Sequence, residues 1–128
     1  MALLRADEEF LTRKGFRYDT FPHGNLLAVV IRDYPLPPGY QITQTDLLIL
    51  LPGGFPDSAP DMWWCCPWVR LGNGSDPVNA NVTEQIGGRS WQRFSRHFGA
   101  VAWRAGRSGL ESYVTLIGAD LAKTVRAA

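Results

Sequence analysis

Strand-like segments are grouped together in the middle of this chain, and helical patterns stand at its two ends. Short apolar runs bounded by turn residues extend from residue 16 to residue 66, whereas a helical pattern is found before Gly15 and again after Ser108. Grouped strands with helices outside the group are typical of α+β domains. The order predicts an α+β fold in which helices pack against one antiparallel sheet.

Two helices are predicted. The first covers residues 5–14 and is followed by Gly15, which suits a left-handed C-terminal cap. The second follows Ser108 and Glu111, which have the spacing of a capping box. Its apolar residues recur at helical spacing and are Leu110, Tyr113, Val114, Ile117 and Leu121.

Four strands are predicted between the helices, as an antiparallel meander. They cover residues 16–21, 25–32, 46–51 and 62–66. The proline-rich segment 33–40 cannot be a central strand or a helix interior, because proline removes a donor and fixes the backbone. Residues 70–88 are rich in Gly, Asn, Ser, Asp and Pro, and are predicted to form a long surface loop.

Length and charge limit the kinds of protein that this chain can be. Its 128 residues, 45% of them hydrophobic, suffice for the core of one domain, which we expect to span residues 1–128. The net charge of +1 leaves no continuous basic surface for nucleic acid. No apolar run approaches the roughly 18 residues that span a bilayer, and the start of the chain lacks a signal pattern. We therefore expect a cytoplasmic protein without a nucleic-acid or membrane partner.

The only two cysteines, Cys65 and Cys66, are adjacent in the sequence. Vicinal cysteines rarely form a disulfide because the closed ring is strained. Free cysteine is among the most buried residue types, so a structural role is favoured for both. They also lack the spacing and the nearby histidine of a zinc site, and neither a metal nor a cofactor is expected.

Several reactive side chains lie close together between Trp91 and His97. The run, hereafter the reactive run, contains two guanidinium groups, Arg93 and Arg96, and the hydroxyl of Ser95. A serine hydroxyl becomes a useful nucleophile when a base removes its proton, and histidine is the commonest general base. In an extended segment, alternate residues of this run share one face. The alternative is that Ser95 bonds a backbone group in a turn.

The order of several motifs resembles a known fold. The segments that carry the resemblance are LPGGFPDSAPDMWW, WQRFSRH and WRAGRSGLESYVTLI, which place a proline-rich turn after one strand, then the reactive run, a tryptophan and a helix. This set resembles the ubiquitin-conjugating enzyme (UBC) fold. It is most similar to the bacterial branch often called prokaryotic E-type conjugating proteins, over roughly residues 5 to 125.

The resemblance implies a role in carrying a ubiquitin-like protein. The reactive cysteine of UBC-fold enzymes precedes a tryptophan by eight positions, and here Ser95 precedes Trp103 by eight. The expected intermediate is an oxyester between Ser95 and the C-terminal glycine of the ubiquitin-like protein, which an activating enzyme supplies. His97 and Arg93 are then the other expected catalytic residues, and Arg96 and Trp91 the substrate-binding ones.

Two departures from the family pattern leave other functions open. The cysteine is replaced by serine, and the His-Pro-Asn element expected about ten residues before it is missing. One alternative is a binding module without catalysis that recruits the ubiquitin-like protein or the activating enzyme. The other is a thioester carrier that uses Cys66.

The first helix is the surface that meets the activating enzyme in proteins of this fold. By this resemblance, Arg5, Arg13 and Lys14 are expected to contact that partner and to steer its approach by charge.

Overall fold

The computed structural model describes residues 2–98, 103–105 and 108–128. A six-stranded antiparallel sheet, in the order β1-β2-β3-β4-β6-β5, packs against two helices. The elements are α1 Arg5–Arg13, β1 Tyr18–His23, β2 Leu26–Pro35, β3 Gln44–Leu51, β4 Trp63–Cys66, β5 Val82–Ile86, β6 Arg89–Phe94 and α2 Leu110–Ala127. The α+β class and both predicted helices are confirmed.

The sheet has six strands where the sequence predicted four. The two additional strands, β5 and β6, form a hairpin around Gly87 and Gly88, whose φ angles are 58° and 80°. Positive φ at both central residues is the geometry of a type I′ turn, which joins neighbouring strands directly. The predicted loop over residues 70–88 is therefore wrong across β5, and the reactive run begins on a strand.

The sheet curls so that its two edges meet. A methyl group added at Gly87 would lie 2.6 Å from the ring of Phe21 in β1, at the opposite edge of the sheet. Only glycine fits at this contact, both for space and for its positive φ. The enclosed face holds a second hydrophobic cluster, formed by Ala28, Val30, Leu48, Trp64, Ile86 and Trp91.

The other face of the sheet packs against both helices and forms the main core. Along β2 and β3 the side chains alternate between the two clusters, and both faces are buried. This double burial explains why these strands appear in the sequence as continuous apolar runs. The main cluster includes Val29, Ile31, Leu47, Ile49, Trp63 and Phe94 of the sheet, Phe10 and Leu11 of α1, and Leu110, Tyr113, Ile117 and Leu121 of α2.

The N-terminus of α2 is capped from α1. The buried Asp7 accepts a hydrogen bond at Oδ1 from the Leu110 N–H, at 3.1 Å. The hydroxyl of Ser108 instead accepts a hydrogen bond from the backbone N–H of Arg104, at 3.0 Å. The predicted capping box of Ser108 and Glu111 is therefore wrong, because the helix begins at Leu110 and a distant carboxylate caps it. Within the described residues, neither helix is long and apolar enough to cross a membrane.

This cap makes stability depend on pH. Burial raises the pKa of Asp7 above its ordinary value of 3.8, and the hydrogen bond from the Leu110 N–H offsets part of that effect. A carboxyl whose pKa is raised by folding contributes most below its unfolded-state pKa and loses that contribution as the pH rises through its folded-state pKa. We expect Asp7→Ala to lower the unfolding free energy by about 1 kcal/mol at pH 7. The loss should increase as the pH falls through the raised pKa of the folded state toward the ordinary value of 3.8.

Urea denaturation of both proteins at several pH values measures this difference. Asp57→Ala is the matched control, because Asp57 is an exposed carboxyl in the loop after β3. A destabilisation by Asp7→Ala that shrinks on acidification would contradict the assignment.

Candidate functional site

The reactive run covers the end of β6 and the residues that follow it. The Arg96 N–H donates to the Phe94 carbonyl at 3.0 Å, which closes a γ-turn centred on Ser95. The Ser95 N–H donates to the Asn79 carbonyl, also at 3.0 Å. These bonds fix the backbone of Ser95, whose side chain is half-buried.

Arg93 contacts the hydroxyl of Ser95. Its Nε donates to Ser95 Oγ at 3.3 Å, and its Nη1 donates to Glu84 Oε1 at 2.9 Å. The indole N–H of Trp64 donates to the same carboxylate oxygen at 3.2 Å. Glu84, which was not predicted from the sequence as a site residue, thus orients the guanidinium. A cationic donor of this kind stabilises negative charge on the oxygen more than it stabilises the neutral hydroxyl.

His97 pairs with Asp61. Its Nδ1 lies 2.8 Å from Asp61 Oδ1, and both side chains are mostly exposed. A carboxylate at Nδ1 holds the proton on that nitrogen and leaves Nε2 as the basic one. Within the part of the chain that the structure describes, no hydrogen bond joins His97 to the Ser95 hydroxyl. The structure therefore brings Ser95 together with Arg93, and His97 together with a carboxylate that lies 36 positions earlier in the sequence.

The residue before β4 connects the reactive run to α2. The Met62 N–H donates to the Arg96 carbonyl at 3.3 Å, and the Met62 carbonyl accepts from Tyr113 Oη of α2 at 2.7 Å. Burial raises the pKa of the Tyr113 hydroxyl well above its usual range, so this donor keeps its proton at neutral pH. Asp61 immediately precedes this junction, which explains how its carboxylate reaches His97.

Arg96 forms a partly buried ion pair with α2. Its Nε lies 2.8 Å from Asp120 Oδ2, and the two side chains are only 10% and 19% exposed. Its Nη1 donates to the Val78 carbonyl at 2.5 Å, while Nη2 is buried and has no hydrogen-bond partner among the described residues. The guanidinium also lies 5.6 Å from the ring centroid of Phe94. Arg96 therefore anchors the reactive run to α2 and to the loop before β5.

Trp91 is a core residue. It is 1% exposed, and its indole N–H donates to the Ile86 carbonyl at 2.9 Å. The guanidinium of Arg89 lies 4.5 Å from its ring centroid. Trp91 was predicted to bind substrate, but its ring lies inside the second hydrophobic cluster and offers almost no surface to a ligand.

Trp103 packs against α2, as predicted, through the ring of Tyr113 at a centroid distance of 6.2 Å. Its indole N–H donates to the Pro56 carbonyl at 2.8 Å, and its ring lies 6.1 Å from that of Phe55. The tryptophan thus joins the chain after the reactive run to the proline-rich turn after β3.

The two cysteines point to opposite faces of β4. Cys65 is 1% exposed in the main core, where burial raises the pKa of its thiol far above the usual range. Cys66 is half-buried on the other face, where it packs against the second hydrophobic cluster. Cys66 is thus the more accessible thiol. In the described ranges, no group of three His, Cys, Asp or Glu residues has the arrangement needed to hold a metal ion.

The cations of α1 lie on an exposed surface. Arg5 pairs with Glu9 at 3.1 Å, and Arg13 pairs with Glu111 of α2 at 3.0 Å. Lys14 follows the helix as its C-terminal cap residue and is exposed. Ion pairs this exposed contribute little to stability, which leaves these side chains available to a partner.

The family model described as Prokaryotic E2 family E matches residues 3–124, which is nearly the whole length. No curated protein and no solved structure matches the chain. E2-like proteins act in the conjugation of ubiquitin-like proteins, and the match extends from before α1 into the last turns of α2. The chain therefore belongs to Prokaryotic E2 family E, an E2-like family with a general role in ubiquitin-like conjugation.

Proposed function

We propose that this protein carries a ubiquitin-like protein as an oxyester on Ser95, after accepting the C-terminal glycine from an activating enzyme. Family membership supports the conjugation role in general. The finer assignment depends on one observation, the 3.3 Å contact of Arg93 Nε with Ser95 Oγ. This contact puts a charge-stabilising donor on the hydroxyl that stands eight positions before Trp103.

The proposed step is a transacylation without any change in oxidation state. Ser95 Oγ attacks the carbonyl carbon of the glycine, which the activating enzyme holds as a thioester. The C–O bond forms, the C–S bond breaks, and the sulfur leaves with the bonding electron pair. His97 Nε2 takes the hydroxyl proton and passes it to the leaving thiolate, while Asp61 stabilises the imidazolium.

His97 would act on Ser95 directly or through one water once the donor is bound. Hydrogen bonds between catalytic groups are often long or poorly aligned in the free enzyme and tighten in the complex. The exposed position of the imidazole, which is 67% accessible, supports such a movement. Arg93 would meanwhile stabilise the charge on the reacting oxygen.

A groove beside Ser95 supports this proposal as a path for the tail of the donor. It lies between residues 71–78 and the C-terminal half of α2, has a volume of about 530 Å³, and is hereafter the tail groove. Its edge at Val78 adjoins Asn79, whose carbonyl accepts the Ser95 N–H. Arg96 lines the groove, so a substrate-binding role for this residue is part of the proposal.

The exposed cations of α1, Arg5, Arg13 and Lys14, are the proposed contact with the activating enzyme. Charges at the rim of an interface act mainly on the rate of association. Removal of these three cations should therefore slow loading at low salt more than at high salt.

The chemistry of the adduct tests the proposed function. Incubation with a ubiquitin-like protein ending in glycine, its activating enzyme and ATP is expected to give an adduct that resists dithiothreitol and is cleaved by hydroxylamine. Release by dithiothreitol, together with loss of the adduct in Cys66→Ser, would instead support the thioester carrier. Tight binding without any adduct would support the non-catalytic module.

A further inference from the structure

A second groove lies beside the reactive run, on the face of α2 that adjoins His97. It has a volume of about 460 Å³ and is hereafter the α2 groove. Phe98, Leu116 and Ala119 give it apolar walls, and Lys123 and Arg126 stand further along the helix. The helical residues are three or four positions apart, so they share one face of α2.

The charge of the α2 groove is positive. Asp120 also lines it, but this carboxylate is paired with Arg96 at 2.8 Å. Across the described ranges, no ion pair engages Lys123 or Arg126. Two cations beside apolar walls attract carboxylates and apolar side chains together.

We propose that the α2 groove binds an acidic, apolar segment of the acceptor protein and brings its nucleophilic amine to His97. This inference rests on the proposed function, because it concerns the second half of the same transfer. Three residues, Arg96, Asp120 and Lys123, line both grooves and form the wall that the α2 groove shares with the tail groove. The two substrates would therefore approach the reactive run along different paths.

In the second half of the transfer, the acceptor amine attacks the ester carbonyl on Ser95. The C–N bond forms, the C–O bond to Ser95 breaks, and Ser95 Oγ leaves with the electron pair. His97 takes one proton from the amine and returns it to Ser95 Oγ, so the protein regains its starting state. Carboxylates that flank the acceptor amine would contact Lys123 and Arg126.

Peptide binding tests the proposed specificity of the α2 groove without requiring acyl transfer. The probe is a fluorescein-labelled peptide of about ten residues that alternates Glu and Leu around one Lys, measured by anisotropy. An exposed ion pair contributes about 0.2–1 kcal/mol, so Lys123→Ala combined with Arg126→Ala should weaken binding about 2- to 30-fold. Raising the salt from about 0.05 to 0.5 M should weaken wild-type binding as well, because the charges are screened.

The matched control removes two cations elsewhere. Arg17→Ala combined with Arg32→Ala changes the net charge by the same amount on β2 and the segment before β1, away from the groove. Circular dichroism checks folding, and alanine is well tolerated in a helix. Equal weakening by both double variants, or equal binding of a peptide with Lys in place of Glu, would overturn the proposal. Lys123 and Arg126 would then only complement the dipole at the end of α2.

Separate measurements of loading and of discharge distinguish this inference from the proposed function. The rate of discharge to the acidic peptide, per molecule of loaded protein, is expected to fall in the Lys123 and Arg126 double variant and to stay near wild type for a neutral amine. Normal loading with equal discharge to both amines would overturn the inference and leave the carrier function intact. Failure of the wild-type protein to load would reject the carrier function. The binding experiment would still test whether the α2 groove binds the acidic peptide.

Discussion

Ser95→Ala is expected to abolish the covalent adduct with the ubiquitin-like protein. The side chain would lose the oxygen that Arg93 contacts, and the γ-turn would still hold the backbone in place. Ser95→Cys should restore an adduct in which sulfur replaces oxygen, so that dithiothreitol now cleaves it. Gel analysis of acid-quenched reactions, with and without dithiothreitol, measures both results.

The matched control for this experiment is Ser90→Ala. Ser90 lies on the same strand, β6, and its exposed hydroxyl hydrogen-bonds with Gln85. This variant should form the adduct at the wild-type rate. An adduct that persists in Ser95→Ala would exclude this serine as the acyl carrier.

His97→Ala is expected to slow adduct formation about 10²- to 10⁴-fold, the usual contribution of a general base. Asp61→Asn should give a smaller loss, because the imidazole remains but its protonated form is no longer stabilised by charge. Single-turnover rates with the loaded activating enzyme give these values. His23→Ala is the control, since His23 is the only other histidine and lies on β1.

Chemical rescue separates catalysis by His97 from a structural role. Added imidazole should raise the rate of His97→Ala and leave the rates of wild type and His23→Ala unchanged. An exposed side chain such as this one should also change the stability little. If His97→Ala loads at the wild-type rate, another group removes the proton and the assignment of the base is wrong.

The sequence predicted the α+β class and both helices because their signals are local. Apolar spacing along α2 and Gly15 after α1 depend only on neighbouring residues. The β5–β6 hairpin was missed although Gly87 and Gly88 are a strong turn signal. β5 is an edge strand whose side chains are mostly polar and exposed, so the composition of residues 70–88 resembled that of a loop.

The candidate site could be located from the sequence, but the side chains that contact its residues could not be predicted. Residue types alone marked the reactive run, whereas Asp61 and Asp120 lie 36 and 24 positions from the side chains that they contact. The sheet order brings β4 beside β6, and with it Asp61 beside His97. Trp91 was predicted to bind substrate and to share a face with Ser95 in an extended segment. Strand alternation does not reveal that the curled sheet buries this face at Trp91.

Mass spectrometry of the wild-type protein tests the central claim most directly. The protein is loaded with a ubiquitin-like protein by its activating enzyme and ATP, quenched in acid to preserve an ester, and digested with pepsin. We predict that the C-terminal remnant of the donor is attached to Ser95. A remnant on Cys66 or on any other residue would contradict it.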